Sequence, residues 1–295
     1  LQHWGGLALL QENLSQSILI LQGTGGAGKG LIANVIQQLI GESNVSELRT
    51  EHLGGRFEAG FHYDKTLLVG ADVDPEFLRE GTASRLKAMT GGDRLQVELK
   101  GSNMSQTTRG RWNVLITANT QLKIALKNDA SAWARRLLVL EFSQGQPNRI
   151  PDYASQLIAE EGPGILNWFI TGAQSLRAHL AEGKAFPVSE RQLAKIQSLL
   201  GESDSIRLFI TTHVRRSSMT ADCVTGDELW NAYTQFCDHH QWSIEPKGRF
   251  ERDGKAMMAE IHGAVQTNHL NRANGHDGVR GYRNITLTGL NDWIE

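Results

Sequence analysis

The stretch Ile18-Leu19-Ile20-Leu21-Gln22-Gly23-Thr24-Gly25-Gly26-Ala27-Gly28-Lys29-Gly30-Leu31 decides how the remaining residues are read. Four consecutive apolar residues running into glycine predict a short buried strand. Beyond the glycines, Leu31, Val35, Ile36, Leu39 and Ile40 recur at helical spacing and stop at Gly41, so strand, glycine loop and helix follow in direct succession. Gly23 to Lys29 fits the phosphate-loop pattern of a glycine, four residues and then Gly-Lys. Glycines let consecutive N–H groups turn toward a phosphate chain, and the following helix adds its positive dipole end. The candidate nucleotide-binding residues are therefore Gly23, Thr24, Gly25, Gly26, Ala27, Gly28, Lys29 and Gly30, with Lys29 reaching the β- and γ-phosphates. The plain alternative is a glycine-rich turn with an incidental lysine. Gly30 departs from the pattern, because Ser or Thr normally lends a hydroxyl to Mg²⁺ there. The cation then depends on acidic residues and water.

Further along, Leu67-Leu68-Val69-Gly70-Ala71-Asp72-Val73-Asp74 is an apolar run ending in two carboxylates. Alternate residues of an extended strand share a face, so Asp72 and Asp74 can both point toward a bound phosphate chain. Asp72 is the candidate for holding Mg²⁺ through water, and Asp74 for orienting the attacking water; solvated acids at a strand-end turn before Pro75 are the competing reading. Trp112 to Asn119 gives another buried strand ending in an amide, and Leu137 to Phe142 a fourth. Strands alternating with helical stretches predict an α/β fold with a mostly parallel sheet.

The composition fits a globular chain. Of 295 residues, 40% are hydrophobic and the formal net charge is -2, which argues against a disordered tail and a uniformly basic coat protein. No apolar run approaches the ~20 residues of a membrane span. Two cysteines, Cys223 and Cys237, make no disulfide framework and predict a reducing, cytoplasmic setting. The first residue is Leu1 rather than Met, which predicts a longer parent chain. Gly, Pro, Asn and Gln around Gln144 to Pro151 mark an edge. The predicted organisation is an ATPase-like domain at 1–148, a helical lid or linker at 149–201, and at 202–295 three helices with a terminal β-ribbon, a winged-helix-like domain.

Taken in order, the phosphate loop, Asp72 and Asp74, Leu86-Lys87-Ala88-Met89-Thr90-Gly91-Gly92-Asp93, the strand ending in Asn119, and Trp133-Ala134-Arg135-Arg136-Leu137 resemble the superfamily-3 DNA helicases. The likeness is greatest to the helicase portion of phage and plasmid primase-helicases, and extends to the poxvirus primase-helicase. Glu161-Gly162-Pro163-Gly164-Ile165-Leu166-Asn167-Trp168 and the C-terminal region are similar to that family as well. The resemblance implies a P-loop AAA+-type ATPase forming a ring, usually a hexamer, with ATP between subunits, in the cytoplasm of a bacterial host if phage or plasmid encoded. It assigns Lys29 to the Walker A lysine, Asp72 and Asp74 to the Walker B acids holding Mg²⁺, and Asn119 to the sensor. Arg136 becomes the arginine finger for a neighbouring subunit, with Arg135 a close competitor. An upstream primase domain is a further expectation.

For DNA contact, Arg94 to Asn103 reads as an alternating strand followed by a Lys-Gly-Ser-Asn turn, hence a β-hairpin. In the resembled family such a hairpin grips one DNA strand in the central channel. Lys100 lies near its tip, and Arg109 and Arg111 are secondary candidates. A ring repeats each lysine around its axis, so a net charge of -2 per subunit does not exclude DNA. In the C-terminal region Lys247, Arg249, Arg252 and Lys255 are expected just before a helix, and Arg272, Arg280 and Arg283 flank the predicted wing; such a domain can contact duplex DNA or dock a protein. Cys237, His239 and His240 fall short of a zinc set, and Trp230, Tyr233 and Phe236 are assigned to core. Two rivals remain: an ATP-switched replication initiator or loading module without unwinding, and a nucleotide phosphotransferase. The Gly-Lys-Gly ending also resembles nucleoside monophosphate kinases, although these usually continue with Thr and Leu31 follows here.

Overall fold

The computed structural model describes residues 1–78, 80–98, 105–126, 129–145, 150–219, 222–270 and 278–288. It divides into two units, Leu1–Ser203 and Asp204–Glu295. The first unit opens with helix α1 (Gln2–Leu9), strand β1 (Ile18–Gly23), helix α2 (Lys29–Ile40) and strand β2 (Val45–Glu47). A short helix α3 (Glu58–Phe61) precedes β3 (Leu67–Gly70) and α4 (Glu80–Thr90). The hairpin strands β4 (Arg94–Glu98) and β5 (Ser105–Arg109) lead to β6 (Asn113–Ala118), α5 (Ala130–Ala134) and β7 (Leu137–Phe142). Helices α6 (Tyr153–Ala181) and α7 (Glu190–Ser203), in the segment expected as a helical lid or linker, complete the unit.

The sheet has the order β2-β3-β6-β1-β7, and every pair in it is parallel. The inner strands β1, β3 and β6 are buried on both faces, which explains their near-continuous Ile, Leu and Val. On one face Leu19 and Leu21 pack with Ala33 and Ile36 of α2 and with α1 and α6. On the other, Ile18, Ile20, Val114 and Ile116 meet Leu86, Met89, Trp133 and Leu199. After β1 the chain crosses to the far edge and works back through β3 and β6, whereas β7 closes the opposite flank. Strand order therefore reverses about β1, and the crevice at the carboxyl ends there is the natural ligand position of an open α/β sheet. The expected strands are present; β2, three residues with a polar centre, escaped the apolar-run criterion.

The second unit holds α8 (Ser205–His213), β8 (Val214–Arg216), β9 (Cys223–Thr225), α9 (Gly226–His240), α10 (Lys247–His262), β10 (Gln266–Thr267), β11 (Gly281–Arg283) and β12 (Ile285–Leu287). Two small antiparallel sheets, β10-β11-β9 and β12-β8, replace the single expected ribbon. Helix α9 begins with a capping box, Thr225 and Glu228 bonding each other's backbone N–H. Helix α10 starts earlier than expected, because Phe250, Gly254 and Met258 form a buried stripe from its first turns. Tyr233 stacks on Phe250 with ring centroids 4.6 Å apart. Cys237 is buried in this core, and His239 and His240 are exposed, with the His240 ring stacked on Trp242.

Candidate functional site

The glycine loop sits at the carboxyl end of β1. Thr24 N–H bonds the Phe142 carbonyl at 3.0 Å, tying the loop to the end of β7. A Cβ at position 23 would lie 2.0 Å from that same oxygen, so only glycine fits. Gly28 caps α2 with φ +94°, a left-handed conformation that side chains resist. The helix then begins at Lys29 and directs the unpaired N–H groups of its first turn back over the loop.

Lys29 is 5% exposed. Its ammonium donates to the Gly23 carbonyl at 2.7 Å, the Thr24 carbonyl at 2.9 Å and Asn119 Oδ1 at 2.9 Å. All three acceptors are neutral. Asn119 in turn donates from Nδ2 to Asp72 Oδ1 at 3.3 Å. The sequence-predicted residues Lys29, Asn119 and Asp72 are thus brought into one connected set by three different strand ends. A buried cation met only by dipoles sets up a demand for negative charge, and glycines with open space above them leave room for a phosphate chain.

Asp74 is not joined to that set. Strand β3 stops at Gly70 and Asp72 takes a left-handed bend with φ +44°, so the expected strand alternation does not relate the two acids. Asp74 Oδ1 instead accepts the Glu76 N–H at 2.7 Å, an Asx turn entering Pro75. Gly30 has open space where a Cβ would stand and supplies no hydroxyl.

Arg135 and Arg136 lie at the opposite edge of the sheet. Leu137 pairs with Ile18 and Phe142 with Gly23, so roughly 17 Å of strand separates these arginines from their own glycine loop. Arg136 is 8% exposed and donates from Nη1 to the Ala132 carbonyl at 2.8 Å. Its burial, with the Arg135 charge, holds its pKa below the usual guanidinium value against the opposing pull of Asp129 and Asp93. Arg135 is exposed. Arg136 is thus buried with one hydrogen bond to its own chain and its Nε unpartnered among the described residues, whereas Arg135 is on the surface.

The hairpin is present as β4 paired with β5, with Leu95 and Val97 buried against the core. Its tip, including Lys100, lies outside the described residues. Arg109 is exposed directly across the ladder from exposed Arg94, a residue the sequence reading had not singled out. Like charges so placed repel unless an anion lies between them. Arg111 forms an ion pair with Glu12, so its charge is already matched. In the second unit Lys247, Arg249 and Arg252 are paired with Asp227, Glu245 and Asp253, and Lys255 is exposed on α10. No described helix is long and apolar enough to cross a membrane.

Fold and site together define a mixed α/β domain with a buried-lysine glycine loop at the carboxyl edge of a five-stranded parallel sheet. Residues 21–136, from the end of β1 to Arg136, match a family described as of unknown function, DUF5906. No curated protein matches the chain. Among solved structures it is similar to the apo A form of the NrS-1 C-terminal region, at 15% identity and TM-score 0.47 over 96% of this chain and 70% of that one. It is also similar to JCV helicase with a small molecule bound, at 15% identity and TM-score 0.31 over 85% of this chain and 65% of the other. The chemistry of the loop, and not these distant likenesses, carries the functional reading below.

Proposed function

We propose that the chain is a P-loop, AAA+-type ATPase motor of the superfamily-3 helicase kind, working with ATP and Mg²⁺ as a ring, hexameric in the resembled family, on single-stranded DNA. The observation that carries this reading is the buried Lys29 ammonium, bonded to neutral acceptors alone and linked through Asn119 to Asp72. A triphosphate laid on the loop supplies the missing charge. Lys29 and the first-turn N–H groups of α2 hold the β- and γ-phosphates. Asp72 offers its carboxylate to a hydrated Mg²⁺, which when bound neutralises charge on the phosphates. Asn119 lies between Lys29 and Asp72, where it can report the γ-phosphate without adding charge. Water attacks the γ-phosphorus, the bond to the bridging oxygen breaks with its electron pair staying on ADP, and the proton the water gives up passes to solvent as ADP and phosphate leave.

A finger must come from another copy, given the distance along the sheet, and the exposed Arg135 suits that role. The hairpin, with Arg94, Arg109 and Lys100, faces DNA on this reading, and the C-terminal unit is a winged-helix-like module whose α10 presents Lys255 to a duplex. The decisive experiment combines ADP release with strand displacement on a forked DNA. ATP-dependent displacement with DNA-stimulated turnover is expected. Tight ATP binding without turnover would overturn the motor and leave the switch reading, which two observations favour: Gly30 brings no hydroxyl, and Asp74 is occupied by its own turn.

A further inference from the structure

Asp72, which meets the Lys29 set through Asn119, has a left-handed backbone, and its amide docks on a residue in the neighbouring strand. Asp72 N–H donates to Thr117 Oγ1 at 2.8 Å, and Val73 N–H donates to the Thr117 backbone carbonyl at 3.1 Å. Two consecutive amides thus dock on one residue. Thr117 is 4% exposed and sits in β6 opposite Leu21 of β1, two positions before Asn119. Val73 is buried and fills the place where a Cβ on Gly70 would come within 2.9 Å of it, so the turn is pinned by packing on one side and by Thr117 on the other. The carbonyl bond to Val73 exists for any residue at 117. The bond to Asp72 needs a side-chain acceptor, and a hydroxyl at this reach is its source.

We propose that Thr117 is the positioning residue of the site: its hydroxyl holds Asp72 in the left-handed turn that carries the carboxylate to Asn119 and to the cation. The inference rests on the ATPase reading of the same cradle. A non-glycine residue persists at positive φ only where its surroundings fix it, and among the described residues Thr117 is the side chain bonded to the Asp72 amide. Asp72 is itself exposed, so water can replace the lost acceptor. The bond therefore sets direction more than fold.

The test uses Thr117→Val, which keeps the β-branched shape and removes the acceptor, and Thr117→Ser, which keeps the acceptor. Turnover in Thr117→Val should fall by about 10²-fold, the usual cost of a misplaced catalytic group, while affinity for a fluorescent ATP analogue stays within about threefold. Thr117→Ser should restore turnover. Hydrogen exchange at the Asp72 amide, read by NMR without nucleotide, should quicken in Thr117→Val and return to the wild-type rate in Thr117→Ser. Undiminished turnover in Thr117→Val, equal losses in both variants, or unchanged Asp72 exchange would each overturn the proposal. An inert wild-type protein would instead overturn the ATPase reading, and the exchange measurement would still decide whether Thr117 holds the turn.

Discussion

The two edges of the central sheet each bury a cation, and they compensate it differently. At the carboxyl edge Lys29, 5% exposed, meets two carbonyls and an amide oxygen. At the amino edge Arg136, 8% exposed, bonds one carbonyl and lies in the field of Asp93 and Asp129. Among the described residues Lys29 has three neutral acceptors and no acid bonded to it, whereas Arg136 has acids of its own chain nearby but keeps a buried Nε without a partner. Similar burial therefore goes with different surroundings, and on the proposed reading the first cation awaits a phosphate chain. Arg135, beside Arg136, is exposed.

Replacing Lys29 offers the sharpest way to break this contrast. Lys29→Met should lower nucleotide binding and hydrolysis by about 10²–10³-fold or more, the scale seen when one preorganised donor is lost. Its melting temperature should hold or rise, because a buried ion exchanged for an apolar chain of similar length is often neutral or stabilising. A variant that melts markedly earlier would show that Lys29 serves the fold, and the two edges would then be alike. Calorimetry and nucleotide titration on the same sample separate the outcomes.

The arginine pair should divide in the opposite sense. Arg135→Ala is expected to cost about 10³-fold in turnover, the lower range for an arginine finger, with ATP affinity and melting unchanged. Mixing it with Lys29→Met should recover part of the activity, since one copy keeps its loop and the other its finger. Arg136→Ala should destabilise by about 1–3 kcal/mol through a lost buried hydrogen bond, read as a drop in melting temperature. If Arg136→Ala melts normally and alone abolishes turnover, Arg136 is the finger and its burial belongs to the isolated chain.

A smaller difference is expected between the two acids. Asp72→Asn should reduce Mg²⁺-dependent turnover by about 10²-fold and raise the Mg²⁺ needed for half-maximal rate. Asp74→Asn keeps an Asx-turn acceptor and should stay within a few-fold of wild type. Greater damage at Asp74 would mean that the turn at Glu76 opens when nucleotide binds, making the bond at 2.7 Å a resting contact.

Much of this was legible from residue order. Strand, glycine loop and helix were fixed by Ile18–Leu21 and the spacing of Leu31 to Ile40, since burial on both faces and a helical stripe leave strong one-dimensional patterns. Asn119 and Asp72 were legible as strand-end polar residues. The burial of Arg136 and the exposure of Arg135 were not, because adjacent residues on the same turn differ only in which one the core takes. Thr117 was hidden for a related reason: within Val114-Leu115-Ile116-Thr117-Ala118 it reads as one more β-branched strand residue, and its hydroxyl acquires a role only through a partner 45 positions away. The left-handed Asp72 was equally invisible, as apolar alternation carries no information about φ. Early entry into α10 followed from a buried stripe of Phe250, Gly254 and Met258 that the charged residues between them masked.

Gly30 gives the finest test of the carboxyl edge. It is the second residue of α2, its φ is ordinary for a helix, and no atom lies within 4 Å of the position a Cβ would take. Gly30→Ser should therefore fold without rearrangement and gain about 0.3–0.5 kcal/mol from helix propensity. It also places a hydroxyl in the first turn, beside the proposed phosphates. The Mg²⁺ concentration for half-maximal turnover should fall a few-fold, the signature of a cation gaining one oxygen ligand. If the requirement is unchanged and nucleotide affinity weakens, the open space above Gly30 belongs to the nucleotide itself, and the cation is held wholly from the Asp72 side, where Thr117 sets its geometry.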